Sequence, residues 1–232
     1  EFSPAPAGTE APGGLKPAEA RPTSCQDGLH RAASGSEWWE VSMSRLAEAF
    51  EYAARLHATQ LRKGSGVPYV AHLLSVAGIA LHYGAGEDEA IAALLHDAVE
   101  DQGGAPILAE IERRFGPSVA AIVAGCTDAD AIPKPPWRGR KEAYLAHVAE
   151  ASASVRLVSA ADKLDNARSI LCDYRQLGES LWSRFTGGRE GTLWYYRSLV
   201  TAFRAAGDGP LFEELDRVVS ELERVTSSGA SP

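Results

Sequence analysis

From Ser44 onward, apolar residues recur with a period near 3.6 almost throughout the chain, the spacing of one face of a helix. Phe50, Ala53, Ala54, His57 and Leu61 fall on one face of a first helix. Lys63-Gly-Ser-Gly-Val-Pro68 breaks it, and the pattern resumes from Tyr69 to about Tyr83. Glu87-Asp88-Glu89 supplies the acidic residues that favour a helix N-terminus, opening a helix that runs through His96 to Asp101 and stops at Gly103-Gly104. Shorter helices near 106–115 and 117–125 flank Gly116-Pro117, and Thr127 to Gly139, with Pro133, Pro135 and Pro136, reads as a loop. Further helices cover about 140–150, 154–175, 189–206 and 210–225. With no repeat and no alternating strand pattern, the prediction is an all-α helical bundle.

Residues 1–42 behave differently. Pro4, Pro6, Pro12, Pro17 and Pro22 among scattered Gly, Ser and Ala leave no helical or strand period, so this stretch reads as a disordered extension. Met43 is the only methionine and coincides with the onset of the helical pattern. It is therefore a candidate natural start, with the preceding residues expected to include vector-derived or upstream-translated sequence. Residues 43–226 are then the expected folded domain, and 227–232 a short disordered tail.

Composition narrows the function. A chain of 232 residues can bury a sizeable core. No stretch approaches the ~20 apolar residues of a membrane span, and none resembles a signal peptide. Cys25, Cys126 and Cys172, odd in number and widely spaced, argue against a disulfide framework and fit a reducing, cytoplasmic setting. The net charge of −8 argues against broad nucleic-acid binding, which depends on excess Lys and Arg. It leaves room for a small anionic substrate.

The chemistry concentrates in Ala92-Ala-Leu-Leu-His-Asp-Ala-Val-Glu-Asp101, where an imidazole and three carboxylates follow an apolar run. Ionisable groups placed against a core are costly unless compensated, and a bound metal compensates them. Pro68-Tyr-Val-Ala-His72 and Ala160-Ala-Asp-Lys-Leu-Asp-Asn166 carry the missing ligands. The candidate set is His72, His96, Asp97 and Asp162, two nitrogens and two carboxylates. That mixture suits Mn²⁺, Fe²⁺ or Zn²⁺ and is a poor match for Ca²⁺ or a structural thiolate site. Four-residue spacing pairs His96 with Glu100 and Asp97 with Asp101 along the expected helix. Glu100 is the candidate general base or water-orienting group. Taken alone, Asp162 could be a satisfied core ion pair with Lys163 or Arg168; the ordered combination of segments favours a divalent-metal phosphohydrolase.

His72, His96-Asp97 and Asp162 match the H…HD…D pattern of HD-domain phosphohydrolases. Arg62-Lys63 with Gly-Ser-Gly-Val-Pro-Tyr-Val-Ala-His72, Leu94-Leu-His-Asp-Ala-Val-Glu-Asp101 and Ala161-Asp-Lys-Leu-Asp-Asn-Ala-Arg168 resemble the hydrolase domain of RelA/SpoT-homologue alarmone enzymes, in the form of a stand-alone small alarmone hydrolase. The match covers about residues 44–205. This resemblance implies an HD-domain helical bundle that hydrolyses the 3′-pyrophosphate of guanosine tetra- or pentaphosphate, usually with Mn²⁺. It implies His72, His96, Asp97 and Asp162 as metal ligands, and Glu100 and Asp101 as the pair that orients or deprotonates water. It further implies that Arg62 and Lys63 hold the base or phosphates and that Asn166 contacts the ribose region. Two positions depart from the family's pattern: Leu73 stands where proline is usual, and Asp165 where His or Tyr commonly precedes the Asn. A carboxylate at 165 facing inward would repel phosphate, which leaves the choice of nucleotide open.

Other features remain two-sided. Lys134, Arg138, Arg140 and Lys141 form either a solvated basic loop or a phosphate-binding one. Trp194-Tyr-Tyr-Arg197 reads as helix packing, with base stacking the alternative; Trp182 and Phe185 read as core, and His57, His82 and His147 as structural. Alternative substrates are an adenosine alarmone, NADPH or a nucleotide monophosphate. A non-catalytic nucleotide-binding module is the reading from another class. The oligomeric state is left open.

Overall fold

The computed structural model describes residues 37–127 and 135–228, with side chains of the first helix described from Arg45 onward. Among these residues the regular elements are helices, apart from one isolated antiparallel bridge between Leu61 and Pro68. In chain order they are α1 (Glu37–Leu56), α2 (Val70–His82), α3 (Glu87–Leu95), α4 (Ala98–Gln102), α5 (Ala105–Phe115) and α6 (Pro117–Cys126). Then come α7 (Trp137–Glu150), α8 (Ala153–Leu177), a 3-10 segment (Gly178–Arg184), α9 (Gly188–Ala206) and α10 (Pro210–Ser228).

Helix α8 is the axis of the assembly. Ser152 caps it by accepting from the Val155 amide at 3.3 Å. Buried residues run from Val155 to Tyr174, so the helix is enclosed on several sides, with α2, α3, α6 and α10 against it. Helix α10 presents Leu211, Leu215, Val219 and Leu222 inward at helical spacing. Beside that stripe, Glu214 and Glu221 accept from Arg168 and Arg175 of α8, each at 2.9 Å. Helix α3 is shorter and apolar, with Ala90 to Leu95 all buried.

The single helix expected from Glu87 to Asp101 is two helices, α3 and α4, separated by a turn at His96-Asp97. Asp97 has φ −97° and ψ −2°, and its carbonyl accepts from the Asp101 amide at 3.0 Å to start α4. Gly103 and Gly104, at φ 140° and 66°, end α4 in backbone conformations that L side chains rarely adopt.

Other expectations are corrected in detail. Helix α1 begins at Glu37, so residues 37–42 are helical and not part of an unstructured extension; residues 1–36 lie outside the described residues. Its buried face is Ala49, Tyr52 and Ala53, whereas Phe50 and Leu61 are 41% and 56% exposed. The helix stops at Leu56, so Leu61 belongs to the bridge and not to a helical face. The expected loop through Gly139 ends earlier, at Pro136, which precedes α7; residues 128–134, including Lys134, lie outside the described residues. Residues 227–228, expected in the tail, finish α10, and 229–232 are outside the described residues. The 3-10 segment has no counterpart in the sequence pattern.

Helix α6 meets α8 at Gly125, where a Cβ would lie 2.5 Å from Val155 Cγ2 and 3.0 Å from Cγ1. Val155 is buried and β-branched, so it cannot swing aside freely. Gly125→Ala should therefore destabilise the protein by about 1–3 kcal/mol. That outweighs the ~1 kcal/mol by which Ala is the better helix former. Urea unfolding reads the effect, and adding Val155→Ala should restore part of the loss; a stabilised G125A would show that the helices part without cost.

Candidate metal centre and active site

Three segments deliver the site. Tyr69 leads into α2, and His72 lies on that helix's buried face with Leu73 and Val76. His96 follows the apolar run of α3, at its C-terminal end. Asp162, Asp165 and Asn166 lie on adjacent turns of α8. His72 and His96 are only 2% and 3% exposed, and Asp162 is 6% exposed.

Hydrogen bonds decide which ring nitrogens face one another. His96 Nδ1 lies 2.9 Å from the Ala93 carbonyl, which can only accept, so Nδ1 carries the proton. Its Nε2 is buried with no hydrogen-bond partner, although Asp97 Oδ2 is 3.0 Å away and Asp162 Oδ1 3.6 Å away. His72 Nδ1 donates to Asp165 Oδ2 at 2.6 Å, which turns its Nε2 to within 3.2 Å of Asp162 Oδ1 and 3.7 Å of Asp97 Oδ2. His72, His96 and Asp162 thus offer ligand atoms that all lie within 4.8 Å of one another. Asp97 joins this knot through Oδ2, which also accepts from Tyr69 Oη at 2.5 Å.

Charge is balanced around the knot. Asp162 Oδ2 accepts from Lys163 Nζ at 2.5 Å, while Oδ1 accepts from Asn166 Nδ2 at 2.5 Å. Burial alone would push the His96 pKa down, but Asp97 and Asp162 outweigh it and hold it well above the ordinary value. His72 is raised in the same way, burial being overcome by Asp162 and Asp165. Burial would raise Asp162, yet Lys163 and the two histidines keep it well below the usual carboxylate range. Lys163, buried beside Asp162, has its pKa well above normal because that carboxylate overcomes desolvation.

The structure brings Arg62 to α8, where Nη1 donates to Asp165 Oδ2 and Ser169 Oγ, both at 3.1 Å, and Nη2 to Asn166 Oδ1 at 2.6 Å. Asp165 does not face inward as an unpaired charge. It accepts from His72, Ser75 and Arg62, so the anticipated repulsion of phosphate is largely neutralised. Glu100 is half-buried on α4, and Asp101 Oδ2 accepts from Gln60 Nε2 at 2.7 Å. Lys63 is exposed and makes no ion pair or hydrogen bond among the described residues. Arg140 and Lys141 lie on α7, with Lys141 Nζ 4.8 Å from the Tyr195 ring centroid. Asp162 does pair with Lys163, whereas Arg168 turns to Glu214. Tyr195 and Tyr196 are buried and Trp194 lies under the Arg138 guanidinium, as packing requires.

Sequence reasoning missed Tyr69, Ser75, Ser169 and Gln60. The first two lie three residues before and after His72, and Ser169 three after Asn166, a spacing that places each on its neighbour's helix face. Gln60 had no such signal. It joins Asp101 to buried His57, whose Nδ1 is 2.7 Å from Gln60 Oε1 and whose ring stacks on Tyr69.

The family model described as "HD domain" matches residues 49–193, from α1 into α9 and across all these segments. The chain belongs to the HD-domain family. This HD domain is 41% identical over 128 residues to the guanosine-3′,5′-bis(diphosphate) 3′-pyrophosphohydrolase MESH1 of Xenopus tropicalis, covering 54% of the chain and 69% of that protein. The Drosophila melanogaster MESH1 is 35% identical over 130 residues, with 55% and 70% covered. A solved structure described as a metazoan ortholog of SpoT that hydrolyzes ppGpp superposes with a TM-score of 0.65 at 27% identity, covering 82% of this chain and 98% of that one. A Listeria monocytogenes structure gives 0.60 at 31% identity, with 66% and 99% covered. An HD domain implies a divalent metal, and the donor set here fits one. The orphaned Nε2 of His96 sits in the knot, and burial pushes the nearby Cys126 thiol up to about 11, so no thiolate competes.

Without metal, the surrounding carboxylates favour the charged form of both histidines. Their contribution to stability is complete below about pH 6.5 and is lost as pH rises through their raised folded values. The contribution of Asp162 is present above about pH 4 and is lost as pH falls through its lowered value. Metal-stripped protein should therefore show a urea midpoint that declines from pH 6 toward pH 9, and added Mn²⁺ should flatten the decline by replacing the protons. A flat profile in the stripped protein would mean that the histidines are neutral in the fold.

Proposed function

We propose that this HD domain hydrolyses guanosine tetra- and pentaphosphate, adding water across the bond to the 3′-pyrophosphate and releasing pyrophosphate with GDP or GTP. The observation that carries this reading is the convergence of His72, His96 and Asp162 within 4.8 Å, in a chain 35–41% identical to proteins named for that reaction. His72, His96, Asp97 and Asp162 would hold the ion; two imidazoles and two carboxylates suit Mn²⁺, Fe²⁺ or Zn²⁺, and the resemblance to alarmone hydrolases favours Mn²⁺. A divalent cation there acidifies water and withdraws charge from phosphoryl oxygens.

The chain's own residues supply positioning and proton transfer. Glu100, half-buried one turn beyond His96-Asp97, takes the role of orienting water or accepting its proton. Asp101, anchored by Gln60, assists from the same short helix. Arg62 and Asn166 form a hydrogen-bonded pair one turn of α8 beyond Asp162, where a nucleotide beside the ion would meet both. Lys63, Arg140 and Lys141 add positive charge for the remaining phosphates. Cysteine usage supports a cytoplasmic setting, and no helix among the described residues is long and apolar enough to cross a membrane.

Chromatography of products from a nucleotide panel with Mn²⁺ tests the assignment. Pyrophosphate from guanosine tetraphosphate is the expected outcome; single phosphate from NADPH or a nucleotide monophosphate, or tight binding without products, would replace it. Glu100→Gln should keep the metal while lowering turnover by about 10²–10⁴-fold. His96→Ala should lose the metal itself, as read by elemental analysis after dialysis. Full turnover in E100Q would remove Glu100 from the mechanism.

A further inference from the structure

Asp165 is one of the two positions, with Leu73, at which this sequence differs from the pattern it resembles, and the surroundings of that carboxylate are specific. It is 9% exposed, on the α8 turn that follows Asp162. One oxygen, Oδ2, accepts from His72 Nδ1 at 2.6 Å and from Arg62 Nη1 at 3.1 Å; the other, Oδ1, accepts from Ser75 Oγ. His72 and Ser75 lie three residues apart on α2, so a single carboxylate grips one face of that helix across the α2–α8 interface.

We propose that Asp165 is a positioning residue for the metal centre: by accepting a hydrogen bond from His72 Nδ1 it fixes the tautomer and ring angle that aim Nε2 at Asp162 and Asp97. The inference rests on the metal-site reading given above. A neutral imidazole has one donor and one acceptor nitrogen, so a committed acceptor at Nδ1 leaves the Nε2 lone pair available to a cation. His96 obtains the same arrangement from the Ala93 carbonyl within its own helix. His72 sits at the start of α2, where its ring instead finds its acceptor on α8. A carboxylate also makes the ligating nitrogen more basic than a carbonyl would. Arg62 offsets the added negative charge, which lets an acid occupy this position close to a phosphate-handling site.

Mn²⁺ binding to the metal-stripped full chain, followed by calorimetry, tests this without any substrate. Asp165→Asn keeps the shape, and one amide oxygen can still accept, but the charge is gone; Mn²⁺ affinity should fall about 10–100-fold. Asp165→Leu, which removes the acceptor altogether, should fall further, and Co²⁺ absorption bands should shift in both variants as the ring reorients. Asp165→Glu, which restores a carboxylate, should recover part of the affinity. Equal Mn²⁺ affinity in wild type, D165N and D165L would overturn the proposal, as would a wild type that binds no Mn²⁺. Wild type that binds Mn²⁺ yet leaves guanosine tetraphosphate intact would instead sink the substrate assignment while the Asp165 comparison stands.

Discussion

Two imidazoles buried to 2–3% exposure among carboxylates set the constraint that the surrounding structure obeys. Such a cluster is expensive to desolvate and is tolerated only when charges alternate and donors find acceptors. Here Lys163 faces one oxygen of Asp162, the histidines and Asn166 face the other, and Arg62 balances Asp165. A dication in the middle would replace protons on the histidines without disturbing that outer ring. The cluster is thereby stable enough to fold and still open to exchange of its central charge.

Holding such a knot requires well-packed supports, and α8, 25 residues long with buried residues from Val155 to Tyr174, is the chief one. It places Asp162, Asp165, Asn166 and Ser169 at spacings of three and four residues, so a single helix presents a carboxylate that faces both histidines' Nε2 atoms, one that accepts from His72 Nδ1 and a seat for Arg62. Packing of α2 and α3 on one side and α10 on another keeps its register. The salt bridges from Arg168 and Arg175 to α10 are half-exposed and each contributes little. Leu211, Leu215, Val219 and Leu222 bear most of that contact.

Helical periodicity made the architecture legible, because amphipathic stripes carry their own spacing. Ambiguity arose where burial is complete or local. Ala90 to Leu95 are buried all round, so no stripe signals that the helix stops before Asp97. In α1, Phe50 looked like the anchor, yet Ala49 and Ala53 let the neighbouring helices approach and Phe50 was left outside. Within the site, His72, His96, Asp97 and Asp162 were readable from ordered motifs in three segments. Tyr69, Gln60 and Ser75 were not, because a tyrosine, a glutamine or a serine becomes part of a site only through what it touches. The identity of residue 165 was visible; the direction its carboxylate faces depends on α2 packing against α8, which no local pattern encodes.

The break between α3 and α4 falls at His96 and Asp97, adjacent residues whose side chains meet. In a continuous helix, side chains at positions i and i+1 diverge by about 100°. His96 and Asp97 would then point to different neighbours. Here Asp97, at φ −97° and ψ −2° between the two helices, has Oδ2 3.0 Å from His96 Nε2 while its carbonyl starts α4. Tyr69, held against His57, then donates to that oxygen and stops the side chain from swinging back to solvent. Glu100 and Asp101 follow on α4, the helix that Asp97 opens. Asp101 turns toward Gln60 in the loop that leads to Arg62. The interruption thus falls where two adjacent side chains meet, and the Gln60 hydrogen bond ties α4 to the segment that carries Arg62.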